Sequence, residues 1–205
     1  IKANGPATKP ALAGRIAARA VDIRGGDLPD PLYADSIALT MTPAEIRSNA
    51  FTARTGRTAV TAEFSLSDYA AANPQIRLKL NSNNADVGEL LRIGGAYGVA
   101  AVDGLTGSGT ATINVEAVGP TQHLNQLAMN GSGAVRNASF QMPSMAEPLQ
   151  LRNADLRFTA NSVILDNVDA GLGHTAARGR VTVRDFSDPH LEFSLAANQA
   201  SVQEL

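Results

Sequence analysis

Along much of the chain, apolar and polar residues alternate one by one. Residues 60–67 read VTAEFSLS. Successive side chains of a strand point to opposite faces, so this pattern gives a strand one apolar and one polar face. The same alternation recurs at 75–80, 112–116, 156–158, 181–183 and 191–195. The pattern predicts a mainly β protein.

Helix signals are confined to two short segments. Asp86 is placed to cap a helix that starts at Val87, with Glu89 three residues later as in a capping box and Gly94-Gly95 closing it. A second candidate covers 121–129, where Leu124, Leu127 and Ala128 would share one helical face. We expect one or two short helices beside the strands.

The chain also aligns on itself. Residues 30–69 match 147–186 without a gap, at an offset of 117, so that Gly56 falls on Gly173. After a slip of two residues the match resumes between 73–90 and 188–205. A repeat this long exceeds the rungs of solenoid proteins, which recur every 20 to 50 residues or so. It predicts a duplicated half-sheet.

Three regions follow from this alignment. A first β unit spans 11–92, and a connecting segment spans 93–129 with a strand at 104–118 that has no clear counterpart. A second β unit spans 130–205 and is truncated at its terminal helix. Joined edge to edge, the units would form one extended, curved antiparallel sheet with a continuous apolar face. Unpaired sheet edges would favour edge-to-edge self-association.

Composition narrows the function classes. The 205 residues carry 17 Lys+Arg and 19 Asp+Glu, with no basic stripe, which argues against nucleic-acid binding. There are no cysteines, so disulfides and thiolate metal sites are excluded. Aromatic residues make up only 4%. Such an interior is poor in the side chains that usually build catalytic pockets.

Candidate chemical groups are sparse. His123, His174 and His190 stand in different segments with no ligand spacing. Asp166 and Asp169 lack the twelve-residue calcium pattern and are interpreted as turn or strand-edge carboxylates. The glycine pairs in 107–109 and 131–133 enter strands, so they are interpreted as relief of crowding where a sheet bends. We therefore predict no enzyme activity, no cofactor and no metal.

The order of elements in the second half resembles the C-terminal region of AsmA-like envelope proteins. It runs from a Gly-containing strand at 131–140 through Pro148-Leu149, Gly171-Leu172-Gly173 and 179–183 to 189–197. The resemblance covers about 104–205, and the duplication extends it to 11–92. It implies a periplasmic β region of a protein tethered to the inner membrane, related to bridge-like lipid transfer proteins and linked to outer-membrane biogenesis.

The resemblance also implies a function. The apolar stripes either pack as an ordinary closed core or stay open as a groove that shields or conveys phospholipid, and the resemblance favours the groove. The lining candidates are Val60, Phe64, Leu66, Leu78, Leu80, Phe158, Val181, Val183, Phe193 and Leu195. The alternative is a structural or protein-binding closed β domain of a surface or envelope protein.

Overall fold

A computed structural model describes residues 1–6, 10–24, 29–96, 102–122, 127–143, 145–186 and 188–199, with the side chains of 198 and 199 also outside the description. These residues form thirteen strands and one helix, α1 (Val87–Ala96). The strands are β1 (Lys2–Asn4), β2 (Ala11–Ile23), β3 (Leu32–Met41), β4 (Glu45–Ser48), β5 (Phe51–Thr55), β6 (Thr58–Ser67), β7 (Gln75–Asp86), β8 (Thr106–Pro120), β9 (Ala128–Gln141), β10 (Leu149–Thr159), β11 (Ser162–Leu172), β12 (Thr175–Arg184) and β13 (His190–Gln199).

All thirteen strands belong to one antiparallel sheet. Except for β4 and β5, which do not pair with each other, consecutive strands are neighbours, so the sheet is a meander from β1 to β13. The short strands β4 and β5 share one position between β3 and β6, separated by Asn49 and Ala50. The prediction of a large, mainly β antiparallel fold with a short helix is confirmed.

The helix starts as its sequence predicts, but only one of the two hydrogen bonds of a capping box forms. Asp86 Oδ1 accepts the backbone N–H of Glu89 at 3.1 Å, as an N-cap does. A capping box would also need the Glu89 carboxylate to accept the Asp86 N–H. That N–H instead donates to Thr58 Oγ1 at 2.9 Å. The carboxylate is engaged elsewhere, by the turn between β5 and β6.

The second predicted helix is wrong at its C-terminal end. Ala128 and Met129 are the first residues of β9, paired with Val118 and Ala117 of β8. Residues 123–126 lie outside the described part of the chain. Backbone pairing along the whole edge of β8 outweighs the helical spacing of a few apolar side chains, since propensity is a weak prior.

The register gives the sheet two unlike faces. One face, called here the apolar face, carries rows of side chains that stand opposite one another across successive strands. One row contains Ala62, Leu80, Val115, Gly131, Phe158, Val163, Val183 and Leu191. The residues between them form the polar face, with a row of Thr61, Asn81, Asn114, Ser132, Arg157, Ile164, Thr182 and Glu192.

The tightest packing lies where α1 crosses one end of the apolar face. Val87 of the helix is 4% exposed and joins a cluster with β8 to β11. The other buried members are mostly small: Ala111, Val135, Ala138, Leu151, Ala154 and Val168. Leu90 and Leu91 of the helix pack against this cluster. This core cluster therefore lies beneath the helix.

Backbone geometry repeats along the chain at the offset found in the sequence. The bounds of β6 and β12 differ by 117 at both ends, and β2 and β9 start 117 residues apart. Left-handed residues recur at the same offset. The pairs are Ala20 and Asn137, Gly56 and Gly173, and Asp68 and Asp185. Such conformations are uncommon outside glycine, so their recurrence is a strong sign of equivalent local structure.

The C-terminal end of the strand predicted to have no counterpart does have one. Ala11 of β2 pairs with Asn4 of β1, and the equivalent Ala128 of β9 pairs with Val118 of β8. The short β1 thus occupies the place of the C-terminal end of β8. The sequences agree, because residues 2–6 read KANGP and 116–120 read EAVGP. Only the C-terminal end of the segment 104–118 therefore has a counterpart, and the self-alignment missed it because the shared stretch is five residues long.

Candidate functional site: the apolar face of the sheet

The ten predicted lining residues all lie on the apolar face. Leu66 and Phe64 of β6 stand opposite Ile76 and Leu78 of β7. Val181 of β12 stands opposite Phe193 of β13. The register continues the same rows through the strands between these two pairs. The residues placed on this face are Val60, Phe64, Leu66, Leu78, Leu80, Phe158, Val181, Val183, Phe193 and Leu195.

The apolar rows are long compared with a lipid tail. The row from Ala62 to Leu191 crosses eight neighbouring strands, from β6 to β13. At about 4.8 Å between strands, its span is about 34 Å. The acyl chains of one leaflet fill half of a hydrocarbon core about 30 Å thick, or about 15 Å. One row is therefore longer than an acyl chain.

None of the ten predicted lining residues is fully buried. Phe193 is 68% exposed and Leu195 is 45% exposed. The other eight lining candidates are half-buried. By contrast, the fully buried apolar residues are mostly alanines, with Ala85 and Ala154 at 0%. The strands that the structure describes form a single sheet, so large side chains pack sideways against each other and not against a second sheet.

Two aromatic contacts shape the middle of the face. The rings of Phe51 and Phe64 meet edge to face with centroids 6.5 Å apart. The Phe158 ring lies over Gly131, where an added Cβ would come 2.0 Å from the ring. Gly131 therefore makes room for a side chain. Gly109, by contrast, has a φ of +119° beside a register shift in β8, which is a bend of the predicted kind.

The polar face carries a ladder of ion pairs over β10 to β12. Asp169 lies 2.6 Å from Arg152 and 3.0 Å from Arg178. Asp166 pairs with Arg157 and, at 2.5 Å, with Arg180. Hydrogen bonds from the Arg157 and Arg180 side chains hold the pKa of Asp166 below its ordinary value. The pKa of Asp169 is lowered mainly by the hydrogen bond from Arg152.

These carboxylates correct one expectation. Asp166 and Asp169 lie inside β11, at a bulge around the left-handed Asn167, and not in a turn or at a sheet edge. The bulge keeps both carboxylates on the side of the arginines. In the described part of the chain, no group of three or more His, Asp or Glu residues is placed to hold a metal ion.

A cleft of about 780 Å³ lies on the polar side of the sheet. Its lining includes two polar rows: Thr61, Asn81, Asn114, Ser132, Arg157 and Ile164, and beside them Glu63, Lys79, Glu116, Asn130, Thr159 and Ser162. The lining also includes Leu80 and Phe158, two of the predicted lipid-lining residues, together with Ala62, Val115 and Gly131 from the same row. The charges of the cleft include the Glu116 carboxylate, which pairs with Arg77 at 3.0 Å.

The histidines show no shared chemistry. His123 lies outside the described residues. His174 lies in the turn between β11 and β12, whereas His190 starts β13 with its Nδ1 2.7 Å from the Asp188 carbonyl oxygen.

The sequence did not reveal that Glu89 is a buried acid that links two elements of the structure. Glu89 is 6% exposed, and its carboxylate accepts the N–H groups of Arg57 and Thr58 at 2.7 and 2.9 Å and the Thr58 hydroxyl at 2.5 Å. Burial acts to raise the pKa of Glu89, but these hydrogen bonds outweigh it and lower the pKa overall. The residue ties α1 to the β5–β6 turn.

Comparison of the chain with protein-family models, curated proteins and solved structures gives no match. The resemblance to AsmA-like envelope proteins therefore stays a prediction from the order of elements. Among the described residues, no helix has the length and apolar character needed to cross a membrane.

Proposed function

We propose that the apolar face binds the acyl chains of phospholipid and shields them from water, without catalysis. The observation that carries this proposal is the set of continuous apolar rows whose large side chains remain half-buried or exposed. Large contiguous apolar surfaces on proteins usually mark a binding site. Each side chain contributes apolar contact alone.

The energetics favour an acyl occupant. Burying one methylene contributes about 0.8 kcal/mol, so a chain of a dozen carbons supplies on the order of 10 kcal/mol before the costs of association. The length of a row, about 34 Å by strand spacing, accommodates such a chain across several strands.

The cellular role follows from the resemblance to AsmA-like proteins. We infer a periplasmic domain, tethered to the inner membrane in its parent protein, that supports outer-membrane biogenesis by conveying phospholipid along the sheet. A curved sheet with one apolar face suits this role because lipid tails and headgroups need unlike environments. The exposed charges of the opposite face keep that side in water.

The test introduces one charge on the apolar face in each repeat unit. Leu66→Asp and Val183→Asp are each expected to abolish crosslinking of a photoreactive phospholipid, while circular dichroism remains that of the unaltered protein. Ser65→Asp, next to Leu66 but on the polar face, is the matched control and should crosslink normally. The reason is that a carboxylate disfavours acyl chains yet stays hydrated on a face open to solvent.

Three results would contradict the proposal. A closed core would bury the new charge without a partner, at a cost of several kcal/mol, and unfold a marginal domain. Both aspartate variants would then lose their β signal on circular dichroism. Folded variants that crosslink as well as the Ser65→Asp control would place the lipid elsewhere. Absence of any crosslink to the unaltered chain would favour the structural or protein-binding alternative.

A further inference from the structure

The last strand of the sheet has one free edge. In the region the structure describes, β13 pairs with β12 and with no other strand. Its sequence counterpart is β7, at an offset of 115, so Gln75 corresponds to His190. Strand β7 is paired on both sides, by β6 and by β8. The free edge of β13 is thus the equivalent of the edge that β8 covers in the first unit.

The exposure of apolar side chains follows this difference. Leu191, Phe193 and Leu195 of β13 are 61%, 68% and 45% exposed. Their counterparts on β7 are half-buried, because β8 places a small or apolar residue opposite each of them. Those β7–β8 pairs are Ile76 with Gly119, Leu78 with Ala117, and Leu80 with Val115.

We propose that the free edge of β13 is a strand-addition site for a β8-type strand supplied by another unit of this same repeat. The added strand runs antiparallel to β13, in the register that joins β7 to β8. Shifting that register by 115 places Phe193 opposite the Ala117 position and Leu195 opposite the Val115 position. Addition of a strand to an exposed edge is a known mode of recognition, with main-chain hydrogen bonds for affinity and side-chain phase for specificity.

The opposite end of the sheet favours this occupant over an unrelated strand. There, β1 occupies the place of the C-terminal end of β8 against β2, the counterpart of β9. A β8-type strand therefore borders both repeat units at the same position. Both strand pairs, β1 with β2 and β8 with β9, continue the alternation of apolar and polar faces. A slip by one residue would turn every side chain to the wrong face. This inference holds whether or not the apolar face binds lipid.

The probe for the test is a synthetic peptide of residues 106–120, fluorescently labelled and added to the intact chain. Saturable binding is expected. A control peptide, in which Ile113 is exchanged with Asn114 and Val115 with Glu116, should bind at least tenfold more weakly because its apolar and polar phases are reversed. Phe193→Lys should weaken binding of the first peptide at least tenfold with an unchanged melting temperature, since this side chain is mostly in water.

Disulfide trapping then reads the register directly. The chain has no cysteine, so Ser194→Cys introduces a single thiol. Peptides carrying Cys at 114, 116 or 118 all present it on the polar face. Trapping is expected at least tenfold faster at 116, the position opposite Ser194 in the proposed register. Equal trapping at the three positions, no saturable binding of the 106–120 peptide, or pairing of β13 with a second β13 would each overturn the proposal.

Discussion

Replacing Glu89 by glutamine should weaken the fold at the junction of the helix and the β5–β6 turn. The carboxylate accepts three hydrogen bonds, from the N–H groups of Arg57 and Thr58 and from the Thr58 hydroxyl. Glutamine keeps one acceptor oxygen and turns an NH₂ donor toward groups that are themselves donors. The same turn includes Gly56, whose added Cβ would meet Glu89 Oε1 at 2.1 Å, so the site has little room to rearrange.

The magnitude follows from the number of bonds lost. Hydrogen bonds to charged groups contribute about 1.5–3 kcal/mol each, and a buried donor left unpaired costs about 1–3 kcal/mol. Because glutamine retains part of this bonding, we expect a loss of about 3 kcal/mol in the free energy of unfolding. For a domain of this size, that corresponds to a fall in melting temperature of roughly 6–12 °C.

The pH dependence gives a second readout. The folded-state pKa of Glu89 lies below its ordinary value, which is about 4.3 in an unfolded chain. The stabilisation is therefore fully present above about pH 5 and is lost as the pH falls through the folded-state pKa. Denaturant titration monitored by circular dichroism should show the gap between Glu89→Gln and the unaltered chain narrowing between pH 5 and pH 3.

A control separates this effect from simple loss of charge. Glu63 is exposed on the polar face, and Glu63→Gln should change the free energy of unfolding by less than about 0.5 kcal/mol. The reasoning fails if Glu89→Gln and Glu63→Gln melt together at pH 7. It also fails if the Glu89→Gln gap stays constant from pH 7 to pH 3 while both proteins remain folded.

Two further predictions concern the second half of the sheet. Gly109→Ala should lower the free energy of unfolding by about 2–4 kcal/mol on a denaturant curve. The added Cβ would lie 2.6 Å from Ala138 Cα, at a positive φ. Saturable binding of a nucleotide or phosphate at Gly109 would contradict this structural interpretation. Asp166→Asn should lower the melting temperature less than Glu89→Gln does, because the arginines that pair with Asp166 are exposed. The effect should fade in 1 M salt and as the pH falls through the lowered pKa of Asp166. An effect independent of salt would refute this.

Strands with strict alternation were predictable from the sequence, and others were not. Residues 60–67 alternate along β6 as expected. Strand β2 reads ALAGRIAARAVDI, where alanine marks neither face and the left-handed Ala20 interrupts the phase. Strand β9 has the same interruption at Asn137. A bulge shifts the two-residue period, so pattern alone cannot identify these strands.

The candidate site was predictable in part for a similar reason. Period-two alternation assigns side chains to one face within a strand, and the duplication relates β6 to β12. The phase between neighbouring strands depends on register, which only the structure supplies. The structural role of Glu89 was even less predictable from the sequence. Its spacing from Asp86 is typical of a capping box, yet its partners lie 31 and 32 residues earlier in the chain.

The repeat also predicts how one strained position can be improved. Ala20 has a φ of +51°, a region that costs most residues about 1–2 kcal/mol, and its counterpart Asn137 has a φ of +48°. Asparagine tolerates this conformation because its side chain bonds locally. Ala20 is exposed, so no packing is lost, and Ala20→Asn should raise the free energy of unfolding by about 0.5–1 kcal/mol. Ala17→Asn, at an exposed position of the same strand, should lower it slightly, since asparagine is depleted in strands. Equal destabilisation by both changes on denaturant curves would show that the two left-handed positions are not equivalent.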